Sequence, residues 1–333
     1  MSALSQPETA HLAGRQALRP SPISRSVLLS LNPRAGSGAG HDRVANIVEA
    51  LESCHFQVRL VTDLEVLKST AEEAQKAQDL RCVLAVGGDG TACAVRRSVP
   101  LDIPMVIVPM GTENLLGRYL NQVTDPVALV DLVENGLVVE LDLGRANGDV
   151  FLLMISVGFD AEVIRGLHEN RRGNISRAAY FLPTLRALRS YRYPPIRIYW
   201  DNAAAEPTLC RWIFGFNLPL YALGLPIAPD AIGTDGLLDV CTFERGTMFS
   251  IARYLWHILR GVHLNLPDAG LRQAKQFRLE STSDAATAYQ LDGDFAGVLP
   301  VEIEIFPKQL KLLVTSETAE RLGFLMPEVP SRV

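Results

Sequence analysis

The sequence predicts an α/β protein of two domains, a doubly wound N-terminal domain followed by a β-sandwich C-terminal domain. Three observations carry that expectation. From Ser26 to about Leu141, short apolar runs alternate with amphipathic stretches of helix length. Glycine-rich turns directly follow three of those runs. Beyond Leu141, short β-rich runs succeed one another, separated mainly by Pro, Gly and Asp turns.

In the first domain, residues 27–29 form a strand that ends in the turn Asn32-Pro33-Arg34-Ala35-Gly36-Ser37-Gly38. Val44, Ile47, Val48 and Leu51 recur at helical spacing, which predicts a helix over 43–51. Residues 56–61 read as a strand and 67–77 as an Ala/Glu-rich helix. A buried strand over 82–86 ends in Gly87-Gly88, and one over 105–108 ends in Pro109. Open parallel sheets of this kind are covered on both faces and bind ligands beyond the carboxyl ends of their strands. The glycine turns lie there.

In the second domain the strand runs are 151–157, Ile196–Trp200, Trp212–Phe216, 237–243, 277–279, 301–305 and 310–314, with one helix-like segment over Met248–Leu259. They predict an antiparallel sandwich or barrel packed behind the first domain. The expected layout is a tail over 1–25, the first domain over 26–142, the second over 143–315 and a C-terminal tail over 316–333.

Gly87-Gly88-Asp89-Gly90-Thr91 combines the features of an anion cradle. Its glycines remove the Cβ atoms that would block a phosphate, and successive backbone N–H groups are able to face it. Asp89 would repel a phosphate unless a cation such as Mg²⁺ stood between them. The plain alternative is a tight strand-to-helix turn capped by Asp89. Two companion turns, Asn32 to Gly38 and Pro109-Met110-Gly111-Thr112-Glu113-Asn114, favour a nucleotide site, because three such turns converge on one crevice in a doubly wound sheet. None of them matches the G-x-x-x-x-G-K-[ST] or G-x-G-x-x-G fingerprints. Late in the chain, Asp292-Gly293-Asp294 offers a carboxylate able to orient a hydroxyl and take its proton. Its plain alternative is an Asp-Gly hairpin turn.

Taken in order, NPRAGSG, GGDGT, PMGTEN and a distant LDGD resemble the diacylglycerol kinase catalytic-domain family, which includes bacterial soluble lipid kinases and the sphingosine and ceramide kinases. The resemblance covers roughly residues 24–315. It implies an active site in the cleft between the two domains and an ATP site formed by Asn32, Pro33, Arg34, Ala35, Gly36, Thr62, Gly88, Asp89, Gly90, Thr91, Ala92, Cys93, Ala94 and Thr112. It also implies Asp294 as proton acceptor, where the family usually carries a glutamate in D-G-E. In the turn Asp230 to Leu237, the resemblance implies a structural Mg²⁺ held by the Asp235 carboxylate and backbone oxygens near Ile232 and Leu237. An Asp-Gly turn joining two strands is the alternative there. Asp142 and Ser156 to Ala161 match further family positions, with Asp142 a candidate for the cleft's charge network and Asp160 structural.

The chain departs from the family pattern where Ala92-Cys93-Ala94 replaces a residue followed by Asn-Glu. It departs again at Asn114-Leu115 in place of Asn-Asp, and at Ala222-Leu223-Gly224 in place of a glycine triplet. NAD kinases share GGDGT, but their T-G-S-T-A-Y-type segment has no counterpart here. The implied function is transfer of the ATP γ-phosphoryl group to a lipid hydroxyl, such as that of diacylglycerol or a sphingoid base. A non-catalytic nucleotide-binding regulatory protein and a kinase for a soluble acceptor such as NAD remain the alternatives.

Composition bounds the rest. With 333 residues, 48% hydrophobic, the chain is long enough for two cores. A net charge of −5 argues against nucleic acid as a partner. Five cysteines without a C-x-x-C pair predict a reducing, cytoplasmic setting. No apolar run is long enough to span a bilayer. Residues 165–197, however, carry eight arginines against the single acid Glu169, with Tyr180, Phe181, Leu182, Leu185 and Leu188 interleaved. Such a segment is a candidate for peripheral contact with an anionic membrane. Oligomeric state stays open.

Overall fold

The computed structural model describes residues 15–32, 38–111, 113–169, 191–201, 206–283 and 286–327. Four parallel strands open the fold: β1 (Ser26–Leu31), β2 (Gln57–Val61), β3 (Leu80–Gly87) and β4 (Met105–Pro109), in the order β2-β1-β3-β4. β1 and β3 are apolar along almost their whole length because both faces are covered. Helices α1 (Gly38–Ser53) and α5 (Pro126–Asn135) cover one face through Ile47, Leu51, Leu129 and Val133. Helices α2 (Leu64–Lys76), α3 (Asp89–Ser98) and α4 (Leu115–Tyr119) cover the other through Leu67, Val95 and Leu116. Asp63 caps α2 with its carboxylate on the Glu65 and Val66 N–H groups, and Asp125 caps α5 ahead of Pro126.

β5 (Leu137–Ala146) carries the chain from the first half into the second without a break. The strand β16 (Val301–Val314) returns along it over its full length. Residues 310–314 of β16 lie beside β4, in parallel register at Leu312↔Met105, and residues 301–304 pair with β13 (Gln276–Ser281). The runs 301–305 and 310–314, expected as separate strands, are therefore one strand with a register shift between Phe306 and Leu310. The reason is local. Lys308 takes φ 61°, and its N–H donates to the Asp142 Oδ1 atom at 3.0 Å, which absorbs the extra residues without ending the pairing.

β13 continues the large sheet into β8 (Ile196–Trp200) and β9 (Thr208–Cys210). A six-stranded antiparallel sheet packs against it, in the order β12 (Ala269–Ala274), β11 (Leu238–Phe243), β10 (Trp212–Phe216), β7 (Met154–Val157), β14 (Ala288–Leu291) and β15 (Asp294–Val298). Ile155, Val157 and Ile213 of the small sheet meet Ile198, Phe277 and Ile303 of the large one. The architecture is therefore an α/β domain with a parallel sheet joined to a β-sandwich. The outer face of the small sheet carries α6 (Phe159–Glu169) and α7 (Met248–Leu259).

Two local expectations need correcting. The run 151–157 is two strands, β6 (Asp149–Phe151) and β7, interrupted where three backbone N–H groups turn toward the Asp292 carboxylate. The segments expected as tails also carry structure. Ala17 is fully buried, Leu18 bridges Val138, and the helix Ser316–Arg321 buries Thr318 and Ala319. Both segments lie along β5 and bury Ala17 and Ala319 in the core, a signal too short for periodicity to show.

Candidate active site

Strand order reverses around β1, so the crevice of the parallel sheet lies at the carboxyl ends of β1 and β3. Asn32 follows β1 and donates from Nδ2 to the Thr91 Oγ1 atom at 3.2 Å, tying the first turn to the second. Gly87 leaves no room for any other residue, since a Cβ there would stand 2.2 Å from Thr91 Oγ1. The second and third turns touch through backbone, because a Cβ on Gly111 would lie 2.8 Å from the Gly88 Cα atom. Asn114, in the left-handed region at φ 46°, holds the third turn closed by accepting from the Gly111 N–H and donating to its carbonyl. Asn32, the second turn and the described part of the third are thus brought together at the strand ends.

Asp89 has a different role from the one its charge suggested. Its carboxylate accepts the Leu115 and Leu116 N–H groups at 2.8 and 2.9 Å, so it caps α4, whose first N–H groups have no helical partner. Burial raises its pKa against the pull of those two hydrogen bonds. Each of its oxygens already accepts a backbone N–H group. Ala92 and Cys93 point into the core, and the Cys93 thiol donates to the Val150 carbonyl at 3.4 Å. Those two side chains are therefore buried, while Gly90 is exposed. Thr62 is exposed just beyond β2, on the far side of β1 from Gly88. Pro33, Arg34, Ala35, Gly36 and Thr112 lie outside the described residues.

The acidic turn of the second half meets this cluster directly. Asp292 and Gly293 have φ of 51° and 88°, forming the two-residue hairpin between β14 and β15. The hairpin reading and the functional reading hold together, because the turn places its two acids in opposite surroundings. Asp292 accepts N–H groups from Leu152, Leu153 and Met154 at 2.6, 2.8 and 3.0 Å. Burial nonetheless pushes its carboxyl up to about 6. Asp294 is exposed, and its Oδ2 atom lies 3.2 Å from where a Cβ on Gly90 would stand. A glycine of the first half and a carboxylate of the second thus share one small volume. Sequence reasoning missed that Asp292 anchors this hairpin; the break in the apolar run at Leu152-Leu153 is the trace it leaves.

Asp142 is fully buried and accepts from the Gly236 N–H at 2.7 Å as well as from Lys308, so it joins β5, the β16 irregularity and the turn 230–237. Asp160 is structural, taking the Ser156 hydroxyl, the Trp212 indole N–H at 2.7 Å and the Tyr221 hydroxyl at 3.1 Å. In the turn 230–237, Asp235 Oδ1 accepts the Leu237 N–H at 2.9 Å, and the Ile232 carbonyl already takes the Thr234 N–H at 2.7 Å. Nearby Asp239 has a buried Oδ2 atom without a hydrogen-bond partner, and burial and then the Asp235 charge push its carboxyl up to about 6. That orphaned oxygen suits a hard cation better than an empty apolar wall would. Among the described residues no three His, Cys, Asp or Glu side chains converge on one point, so a cation here would rest on two carboxylates with backbone oxygens and water.

A cavity of about 570 Å³ is lined by Arg145, Tyr199, Trp200, Arg278 and Glu302, none of which belongs to the glycine turns. Of the basic segment 165–197, residues 170–190 lie outside the described residues. Arg165 pairs with Glu162 at 2.6 Å, and Arg192 and Arg197 are exposed. No helix among the described residues is long and apolar enough to cross a membrane.

Comparison with known proteins agrees with the fold. Residues 26–146 match the diacylglycerol kinase catalytic domain, and residues 153–314 match the YegS C-terminal NAD kinase beta sandwich-like domain. A diacylglycerol kinase of Mycobacterium tuberculosis (strain ATCC 25618 / H37Rv) is 30% identical over 298 residues, covering 85% of this chain and 93% of that one. One of Bacillus subtilis (strain 168) is 25% identical over 305 residues, covering 87% and 97%. The fold is shared with a solved chain from Bacillus anthracis str. Sterne, at a TM-score of 0.70 and 21% identity, covering 89% of this chain and 97% of that one. The chain belongs to the diacylglycerol kinase family.

Proposed function

We propose that the chain transfers the γ-phosphoryl group of ATP to a hydroxyl of a lipid. The observation that carries this reading is the approach of Asp294 to Gly90 across the two halves. Phosphates held on the backbone of the first two glycine turns would present their terminal phosphorus to the space beside Asp294. Asp294 would accept the proton of the acceptor hydroxyl. The hydroxyl oxygen forms a bond to the γ-phosphorus, and the bond from that phosphorus to the oxygen bridging it to the β-phosphate breaks, releasing ADP. Aspartate stands where the family usually has glutamate, and the close approach to Gly90 compensates for its shorter reach.

The ATP site would comprise Asn32 to Gly36, Thr62, Gly88 to Ala94 and Thr112, with Gly88, Gly90 and Gly111 contributing space and N–H groups rather than side chains. Mg²⁺ would supply neutralisation of phosphate charge. A second, structural cation would sit at Asp235 with the backbone near Ile232 and Leu237, and the orphaned Asp239 oxygen supports adding that residue to the set. The first half would be the nucleotide domain and the second the acceptor domain.

The test is product analysis with γ-labelled ATP against diacylglycerol, a sphingoid base and NAD. Label in a lipid product supports the reading, and label in NADP alone replaces it with a soluble-acceptor kinase. ATP binding without transfer to any acceptor would make the chain a nucleotide-binding regulatory protein.

A further inference from the structure

Helix α7 has two opposed apolar faces. Ile251, Tyr254 and Ile258 are fully buried, with Tyr254 on the Phe243 ring at 4.6 Å between centroids. The opposite face leaves Phe249 81%, Trp256 59% and Leu259 64% exposed. At 100° per residue these three fall within one stripe, centred away from the buried one. A contiguous exposed stripe holding Phe and Trp marks an interaction surface rather than ordinary scatter.

Charge around the stripe has one prevailing sign. From the exposed Glu244 to the buried Asp268 the sequence has three arginines and no other acid. Arg245 lies 3.0 Å from the buried Asp268 carboxylate while its side chain stays 67% exposed. Arg253 pairs with the same carboxylate, and Arg260 lies over the Trp256 ring at 5.8 Å. Two of the three arginines are thus held in place beside the apolar stripe.

We propose that α7 lies in the surface of an anionic phospholipid bilayer. Phe249, Trp256 and Leu259 enter the boundary of headgroups and acyl chains, and the arginines meet lipid phosphates. The choice of a bilayer rests on the reading of a lipid acceptor, and two features of the surface support it. The stripe is a convex helix face, the shape that an in-plane interfacial helix presents. A second copy packed on it about a two-fold axis would set like-charged arginines near one another, with Glu244 the one exposed acid beside them. The helix is also coupled to the candidate site through packing. Phe159 of α6 meets Trp212, Trp212 meets Phe243, and Phe243 meets Tyr254, while α6 packs on the β14–β15 hairpin that carries Asp294.

The chain supplies its own reporter, because Trp200 and Trp212 are 7% and 2% exposed and Trp256 is the remaining one of three tryptophans. The full chain is titrated with phosphatidylcholine vesicles and with equimolar phosphatidylcholine–phosphatidylglycerol vesicles. With the anionic vesicles, Trp256 emission should shift to the blue, be quenched by lipids brominated on their acyl chains, and recover in high salt. Trp256→Phe should lose that signal yet still sediment with vesicles. Phe249→Ser combined with Leu259→Ser should bind vesicles about tenfold or more weakly at unchanged circular dichroism.

Sedimentation with vesicles at unmoved Trp256 emission would overturn the proposal, and so would absence of binding to either vesicle. A dimer that the double variant abolishes would assign the stripe to a second copy instead. Phosphorylation of a lipid acceptor in detergent micelles separates this inference from the functional reading. Turnover there without vesicle docking sinks the docking alone, and docking without turnover of any lipid sinks the lipid acceptor.

Discussion

The turns Gly88-Asp89-Gly90 and Asp292-Gly293-Asp294 look alike in sequence and are built on opposite principles. In the first, the constraint is on space, and it falls on the neighbouring turn. Gly88 has an ordinary extended backbone at φ −96° and ψ −172°, and a Cβ on it would meet the Gly111 Cα at an ordinary 3.5 Å, whereas a Cβ on Gly111 would lie 2.8 Å from the Gly88 Cα. In the second, the glycine is needed for conformation, since the hairpin requires φ of 51° and 88° at successive residues. Each turn commits its first aspartate to backbone N–H groups, Asp89 to α4 and Asp292 to the break between β6 and β7. The aspartate that faces the other turn is Asp294. The comparison teaches that an acid's position in a motif says less about its role than what its oxygens already hold.

The largest effect expected from breaking this comparison is at Asp294. Asp294→Asn keeps the shape and removes the proton acceptor, so turnover should fall by about 10²–10⁴ with ATP affinity nearly unchanged. Equal turnover in both proteins, with a verified acceptor, would move the base elsewhere. Next comes the glycine contact. Gly111→Ala drives a Cβ against the Gly88 backbone, so the two turns must part. ATP binding should then weaken about tenfold or more, as cradle hydrogen bonds worth about 1 kcal/mol each are misaligned. Calorimetry on the folded variant reads the change directly, and an unaltered affinity would place the nucleotide away from these turns.

How much of this was legible in the sequence follows the same division. The parallel strands and the glycine turns after them were readable, because strands covered on both faces are continuous apolar runs and spatial glycines stand at their ends. Helix α3 was hidden inside the motif that begins it, and Asp89 gave no sign that its partners lie in α4. The Asp292 nest was invisible for a physical reason, since backbone N–H groups carry no sequence identity. Helix α7 was recognised as a helix, but hydropathy alone does not tell which of two apolar faces is buried. Ile251, Tyr254 and Ile258 face the core and Phe249 and Trp256 do not, which only the packing of Phe243 decides.

A smaller effect, on stability, is expected at Asp292. Asp292→Asn would set an amide donor against at least one of the N–H groups of Leu152, Leu153 and Met154, at a cost of about 1–3 kcal/mol. The pH dependence has a definite sign. Burial raises the folded pKa to about 6 from an ordinary 3.8, so the folded state keeps a proton that the unfolded chain has lost between those values. This group's stabilising contribution is present below the unfolded pKa and is lost as pH rises through about 6. Melting temperatures from pH 4 to 7 should therefore fall more steeply in the wild type than in Asp292→Asn. Parallel curves for the two proteins would show that Asp292 titrates elsewhere.

The smallest expected effect concerns the third Asp-Gly turn, at Asp235-Gly236, which stands between the other two in character. Gly236 needs its conformation, at φ 75°, and its N–H is held by Asp142. Asp235 uses one oxygen on the Leu237 N–H, and burial raises its pKa, with the Asp142 charge adding to the rise. With Asp142, Asp235 and Asp239 close enough to raise one another's or their neighbour's pKa, the turn concentrates negative charge that a divalent cation would relieve. Binding to the folded state alone adds about 0.4 kcal/mol when free cation matches its Kd, and grows only as the logarithm of the excess. Magnesium should therefore raise the melting temperature of the wild type, and chelation should return it. Asp235→Ala should lose most of that response while gaining some stability without metal, because one of the crowded charges is gone. A response of equal size in both proteins would place the cation away from this turn, and no response in either would remove the cation from it.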